Sequence, residues 1–517
     1  MSASDISPDT VLLLGASGYI GGRLLPRLLQ SGFSVRAAAR HPEKLGCRPY
    51  ADHPGLEIAQ VDMLDTESLA TAMNGCSTVL SLIHSGHSEP ARRGGTDIRE
   101  MNSLQRAASR SGVTRILCLI GLSQSGPQKA PAREDQAEDL ALSKPGPVPV
   151  TCLRASVILG PGSAWFDIIR HLAQKRMLPE PAWLRRLCRP IAVDDLLFAL
   201  QTCLQAEDGG QEQTLDLCGP EETRVTDLVR LYAQTAGLKE PRILSVPGSW
   251  PRLSSWWLHL ATPVPYGLAR QLIRGLNPHA ACPNEDADHL LPGRPHSCRQ
   301  AIERALRDID EVGVESCWSD AGTIQAPAWI AGHGGKAKGR NEVARASYRV
   351  VLSAEPQTVW PVVAELGGSS GWLFANRLWQ LRGFLDRLVG GPGLQRGRRD
   401  VQSLRTGDAL DFWRVWRVVE NSRLTLLAEM KLPGQASLDF QLHDLGSGRT
   451  ELRLIAEFLP RGLWGSAYWW ALYPLHITMF PRLLRRIAAK AGSGCLSGPE
   501  PFSPSQEAAD CRISENS

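Results

Sequence analysis

"VLLLGASGYIGGRLLPRLL", Val11 to Leu29, joins an apolar run to a helical pattern through three glycines, Gly15, Gly18 and Gly21. Val11–Leu14 reads as a fully buried strand, and Leu24, Leu25, Leu28 and Leu29 fall at helical spacing. Each glycine between them has its own task. The first permits a tight turn, the second lets backbone N–H groups approach a pyrophosphate, and the third lets the helix pack close to the strand. A G-x-x-G-x-x-G pattern lying directly between strand and helix predicts a dinucleotide site.

Working outward, the runs "TVLLLG", "FSVRAAAR", "LEIAQVDM", "STVLSLIHS", "TRILCLIGL" and "PVTCLRASVILG" alternate with segments long enough for crossover helices. They are apolar almost throughout, as parallel strands covered on both faces should be. A doubly wound α/β sheet is expected. After Gly160 the pattern becomes mostly helical, with "RPIAVDDLLFALQTCL" and "TRVTDLVRLYAQTAGL" as the clearest helices. This part is expected to cap the carboxyl edge of the sheet, where open α/β folds bind ligands.

The end of the second strand should carry an acidic residue to hold the ribose 2′-hydroxyl of NAD, but the chain offers Arg36 and Arg40. Arginine there suits the 2′-phosphate of NADP, with Arg40 the better placed. Asp62 with Met63, after the third strand, and Ile83 with His84, after the fourth, fall at the same edge. They are the expected walls of the adenine and ribose site. His84 and His87 lack a third ligand nearby, and no metal is expected.

The 517 residues exceed one ordinary core, and 57 basic against 53 acidic side chains, a net charge of +4, gives no nucleic-acid footprint. The twelve cysteines are scattered without a C-x-x-C pair and read as buried thiols of a reducing compartment. "MSASDISPDT" has no secretory character, so a cytoplasmic location is expected.

A Gly/Ala-rich stretch closes the first part, and 316–346 is read as a linker. The following region, 347–492, holds eight of the fifteen tryptophans and strand-like runs in succession, from "SYRVVLSA" to "TELRLIAEFLP". An antiparallel sheet in a second domain follows from this pattern. Trp372, Trp379, Trp413, Trp416, Trp464, Trp469 and Trp470 are candidates to line an apolar cavity, with Asp408, Asp411, Arg414 and Glu429 as polar anchors. The apolar stretch Gly462–Phe480, followed by arginines, is open to three readings: a packed helix, an interfacial anchor or a membrane span. Residues 493–517 are expected to be a disordered tail.

"GASGYIGGRLL", "VDMLD", "LRASVILGPGSAWF" and "RPIAVDDL" together resemble an atypical short-chain dehydrogenase/reductase with an NmrA-like, NAD(P)-binding Rossmann domain. "NRLWQLRGFLDRLVGGPGLQRGRR", "GDALDFWRV" and "AEMKLPGQASLDF" extend the resemblance to bacterial proteins that join such a domain to a C-terminal domain of unknown function. It implies a Rossmann domain with substrate cap over 1–315 and a START-like helix-grip α+β domain over 347–492. Carried over residue by residue, it places Gly15, Gly18 and Gly21 at the cofactor. Ser17, Tyr19 and Ile20 become loop neighbours, Arg40 meets the 2′-phosphate, and Asp62 with Met63 meets the adenine.

The same resemblance exposes a departure. Short-chain reductases use Tyr-x-x-x-Lys as a proton relay. The seven tyrosines here, Tyr19, Tyr50, Tyr232, Tyr266, Tyr348, Tyr468 and Tyr473, include none followed four positions later by lysine. Ser123, Ser125, Glu134 and Glu138 are the conceivable replacements. Three functions stay open: an NADP(H)-preferring oxidoreductase acting on a small apolar substrate, an NADP(H) sensor without turnover, and a lipid or quinone binder with a peripheral membrane contact through 462–486.

Overall fold

Strand β1 (Val11–Leu14) is buried along its whole length and sends alternate side chains to opposite faces of a sheet. Leu13 joins a cluster with Leu24, Leu28, Leu80 and Leu200, while Leu12 and Leu14 join one with Leu69, Val79, Leu104 and Ile116. The structure is a computed structural model that describes residues 10–83, 95–121, 146–155, 157–206, 213–246, 251–276, 287–311, 313–321, 343–396 and 404–503. The chain divides into two units, Met1–Thr323 and Ile324–Ser517.

In the first unit β1 is joined by β2 (Val35–Ala39), β3 (Leu56–Gln60), β4 (Thr78–Ser81), β5 (Arg115–Gly121), β6 (Val150–Ala155) and β7 (Gln213–Leu217). Their order in the sheet is β7-β6-β5-β4-β1-β2-β3, and every neighbouring pair is parallel. Because β1 pairs with β2 on one side and β4 on the other, the winding reverses between β1 and β4. That reversal opens the crevice in which a doubly wound sheet binds its ligand. Helices α1 (Tyr19–Gln30), α2 (Thr66–Met73) and α3 (Gly95–Ser111) follow β1, β3 and β4. The Rossmann architecture expected from the strand pattern is present.

The helical part holds α4 (Ala164–Ala173), α5 (Val193–Gln205), α6 (Val225–Thr235), α7 (Pro251–Ala261), α8 (Tyr266–Gly275) and α9 (Cys298–Glu311). It has its own core, with Phe166, Ile169, Trp183, Leu228 and Ile302 buried together. The expected linker begins too early at 316. Ser316 donates its hydroxyl to the Tyr19 carbonyl (2.7 Å), and the Trp318 backbone donates to the Gly162 carbonyl (2.8 Å). The Trp318 indole also donates to Asp167 (2.8 Å). Residues up to Ala321 are therefore a strap of the first unit.

Cys76, Cys118, Cys188 and Cys203 are buried thiols, and burial pushes Cys118 and Cys188 up to about 12. They are inert at neutral pH. Cys218 is disulfide-bonded, a departure from the wholly reduced set expected.

The second unit runs β8 (Ala344–Leu352), α10 (Pro356–Ala364), α11 (Asn376–Leu388), β9 (Ala409–Leu410), β10 (Trp413–Val419), β11 (Arg423–Ala428), β12 (Gly434–Gly446), β13 (Arg449–Pro460), α12 (Gly462–Lys490) and β14 (Cys495–Pro501). Its seven-stranded sheet has the order β9-β10-β11-β12-β13-β8-β14 and is antiparallel throughout. Long α12 packs on this sheet, with Trp469 stacked on Phe458 at 5.7 Å between ring centroids. Strand β14 corrects the expectation of a disordered tail from 493: "CLSGPEP" has poor strand propensity, and pairing with β8 orders it. Residues 504–517 lie outside the described residues.

The tryptophans divide. Trp372, Trp379, Trp413 and Trp469 are core residues, and Trp372 lies 5.0 Å from Trp379 and 6.3 Å from Trp413. Trp416 is half-buried, whereas Trp464 and Trp470 face solvent, so these three do not share the interior expected for the whole set. The expected polar anchors bond within the unit. Arg414 donates to both oxygens of Glu429 (3.0 and 3.1 Å) and to the Gly407 carbonyl (2.8 Å), and Asp408 accepts from the Arg405 backbone (2.9 Å). Among the described residues no helix is long and apolar enough to cross a membrane.

Asp411 accepts from the Trp372 indole (2.9 Å) and the Gly368 backbone (3.1 Å). Burial among these rings pushes its carboxyl up to about 6. The folded form thus holds the proton more tightly than the unfolded chain. Stability from this site is fully present below the unfolded value near 4 and is lost as pH rises through about 6, by roughly 2–3 kcal/mol in all. Asp411 sits at φ 56°, a conformation asparagine tolerates, and Asp411→Asn keeps an acceptor oxygen. We predict that Asp411→Asn flattens the fall in urea midpoint of the second unit between pH 4 and 7. An unchanged slope would remove Asp411 as its source.

Candidate dinucleotide site

At the end of β1 the chain turns at Gly15, whose φ of +83° is left-handed backbone that glycine adopts without strain. A Cβ there would also lie 3.2 Å from Ile83 Cγ1 and 3.3 Å from the Leu82 carbonyl. The loop is therefore seated against the end of β4, at the crevice between β1 and β4. The Gly18 backbone donates to the Gly15 carbonyl (3.0 Å) and closes the turn. Gly18 is the N-cap of α1, no side chain caps that helix end, and its first turn holds no acidic residue. The amino-terminal N–H groups and their partial positive charge are left to an anion.

Gly21 fixes the distance between helix and strand. A Cβ at this position would stand 2.3 Å from the Gly15 oxygen and 2.8 Å from the Ala16 Cα. Only glycine allows so close an approach. A cradle that three absent side chains create, below an uncapped helix end at the sheet's reversal point, fits a pyrophosphate. The residues present thus suit the pyrophosphate of a dinucleotide.

The neighbours differ in what they offer. Ser17 is half-buried in the loop. Ile20 is turned into the sheet core, so it contributes backbone alone. Tyr19 has its ring under the Arg23 guanidinium (5.3 Å), and its hydroxyl is buried where a Cβ on Gly160 would meet it at 2.9 Å. Burial drives that phenol far above its ordinary range. The Tyr19 phenol therefore keeps its proton at neutral pH.

Arg40 follows β2 and is exposed, with its carbonyl accepting from Gln60 (3.3 Å). Among the described residues no carboxylate pairs with its guanidinium. Arg36 is neither at this edge nor in solvent. It is buried and donates to Glu57 (2.7 Å) and to the carbonyls of Ala72 and Asn74 (2.7 Å each), tying β2 to β3 and to the end of α2. Its place in mid-strand, opposite Leu12 and Glu57, explains this fate.

Asp62 is exposed and accepts from the Leu64 backbone (3.0 Å), shaping the turn before α2, and Met63 packs half-buried against the core. Ile83 closes over the glycine turn. His84, Ser123, Ser125, Glu134 and Glu138 lie outside the described residues.

One cluster escaped the sequence reading. Asp195, buried at the start of α5, accepts from both the backbone and Nδ1 of His296 (2.7 Å each), while Asp194 pairs with Arg27 and with Arg304 (3.0 Å). Asp194, His296 and Arg304 border a shallow surface cleft with Gly160 and Pro161. Partners 101 residues apart leave no spacing signal in the chain.

Comparison with known proteins agrees with this geometry. Residues 15–142 match the family described as "NAD(P)H-binding", and residues 345–483 match a "Protein of unknown function (DUF2867)". Dihydroflavonol 4-reductase of Zea mays is 41% identical over 75 residues, covering 14% of this chain and 21% of that protein. Cinnamoyl-CoA reductase 1 of Petunia hybrida is 26% identical over 132 residues, covering 24% and 40%. The chain thus spans a fifth to two fifths of the length of these relatives. Among solved structures, the triphenylmethane reductase of a Citrobacter species has a TM-score of 0.45 at 20% identity, covering 58% of this chain and 99% of that one.

Two substitutions separate the roles of the arginines. Arg36→Met should cost about 2–3 kcal/mol by stranding buried carbonyls, and leave the choice between NADPH and NADH unchanged. Arg40→Ala should do the reverse, with thermal unfolding and cofactor titration as the two readouts. Gly21→Ala should lower stability by about 1–3 kcal/mol through overpacking and abolish nucleotide binding. The glycine cradle and the parallel sheet order give the first unit a fold of Rossmann type, within which residues 15–142 are similar to the NAD(P)H-binding family, and residues 345–483 of the second unit are similar to the DUF2867 family.

Proposed function

We propose that the first unit binds NADP(H) in preference to NAD(H) and serves an oxidoreductase acting on a small apolar substrate, a carbonyl or quinone. The observation that carries this reading is the contact of Gly21 with Gly15 beneath an uncapped helix end. Arg40, exposed after β2 where no acidic residue stands within Arg40–Pro42, supports the NADP preference. When bound, the nicotinamide supplies the hydride. The chain supplies the cradle at Gly15, Gly18 and Gly21, a cation for the 2′-phosphate at Arg40, and walls at Asp62, Met63 and Ile83.

No tyrosine precedes a lysine by four positions, so a reduction here draws its proton from another group. That same departure favours a second reading, an NADP(H) sensor without turnover. For the second unit, the sequence strand–two helices–five strands–long helix supports the helix-grip, START-like reading.

Titration of the full chain with NADPH and NADH, followed by tryptophan fluorescence, tests the binding. NADPH is expected to bind at least about tenfold more tightly, with the margin lost in Arg40→Ala. Equal affinities for the wild type would reject the preference, and no binding of either would reject the site. Oxidation of bound NADPH by apolar aldehydes or quinones in a single turnover distinguishes the enzyme from the sensor.

A further inference from the structure

Helix α11 (Asn376–Leu388) and the amino-terminal half of α12 (Gly462–Lys490) present large apolar side chains to solvent instead of to the core. Leu381, Phe384 and Leu385 on α11 are 53–56% exposed, and on α12 Leu463, Trp464 and Trp470 are 89%, 85% and 66% exposed. The two helices are neighbours: Arg382 of α11 lies 5.8 Å over the Tyr468 ring of α12, and Arg482 of α12 lies 5.8 Å over Phe374. Scattered exposed apolar residues are ordinary, but a concentration of this kind on adjoining helices marks an interaction surface.

Charge selects the occupant. The 29 residues of α12 include no Asp or Glu, while Arg482, Arg485 and Arg486 are exposed along it. The one acid of α11, Asp386, is buried and accepts from the backbones of Gly393 (2.9 Å) and Lys431 (2.7 Å). Among the described residues Arg485 and Arg486 have no carboxylate partner. A two-fold pairing of this face with a second copy would offer those arginines no anion. Exposed tryptophan and leucine at one end of a helix, with exposed arginines that can extend to phosphate further along it, is the pattern of a helix lying in the plane of a membrane interface.

We propose that α11 and α12 form a docking surface for an anionic phospholipid bilayer, with Trp464 and Trp470 at the start of α12 inserted among the headgroups and Arg482, Arg485 and Arg486 further along it on lipid phosphates. The surface needs no membrane-spanning helix, and it stands independently of the cofactor site.

Cosedimentation of the full chain with phosphatidylcholine vesicles carrying about 30 mol% phosphatidylglycerol, and with phosphatidylcholine alone, tests this. Binding to the anionic vesicles is expected, falling with added salt. Trp464→Ser with Trp470→Ser should weaken it about tenfold or more. Arg485→Gln with Arg486→Gln should weaken it about fivefold for each charge removed. All four side chains are exposed, so thermal unfolding of the variants should match the wild type, which keeps loss of binding separate from loss of fold. Absence of binding to anionic vesicles overturns the proposal, as does binding that the tryptophan substitutions leave unchanged. A dimer in light scattering that Trp464→Ser converts to monomer also overturns it, and assigns the face to a second copy.

Discussion

The contact between Gly21 and the Gly15 carbonyl governs the first unit. With no side chain at Gly21, α1 settles onto the end of β1 at a separation that any Cβ would close to 2.3 Å. This approach aims the uncapped start of the helix at the crevice between β1 and β4. It also carries Leu24 and Leu28 down onto the sheet, where they share a cluster with Leu13 and Leu80. The open helix end and the core packing thus depend on one missing methyl group, which is why the same short stretch of sequence announces both.

Around that contact the unit separates sealed from solvent-facing arginines. Arg36 and Arg40 lie four positions apart in one strand and its exit, yet one is sealed by Glu57 and two carbonyls and the other is left in solvent. Buried arginine is tolerable where its donors are satisfied. Exposed arginine without a carboxylate neighbour is available to a ligand. The cap follows the same logic: Asp195 spends both oxygens on His296, and Trp318 anchors the strap to Asp167. Those bonds hold structure.

Much of this was legible in the chain. The six apolar runs from Val11 to Gly160 became β1 to β6, because parallel strands buried on both faces leave an unmistakable signal. The glycines were legible for the same reason that they matter. What escaped had no local cause. The direction of Arg36 depends on strand phase against a neighbour far along the chain, and the pairing of Asp195 with His296 spans 101 residues. Strand β14 is ordered by its pairing with β8, against its own Gly/Pro content. In the second unit the tryptophans looked alike in sequence, but only their position relative to the sheet decides that Trp372 is core and Trp464 is surface. The helical period of α11 and α12 shows where apolar residues recur, not which stripe the sheet leaves uncovered.

The central claim is that the glycine turn between β1 and α1 holds a dinucleotide pyrophosphate. Hydrogen exchange of the full chain, with and without saturating NADPH, reads it most directly, because a bound phosphate occupies the backbone N–H groups at the start of α1. The account predicts slowed exchange in peptides covering Gly15–Gly22 and, through the 2′-phosphate, in those around Arg40. Protection elsewhere with none at Gly15–Gly22 would contradict it and leave the turn a device of folding alone.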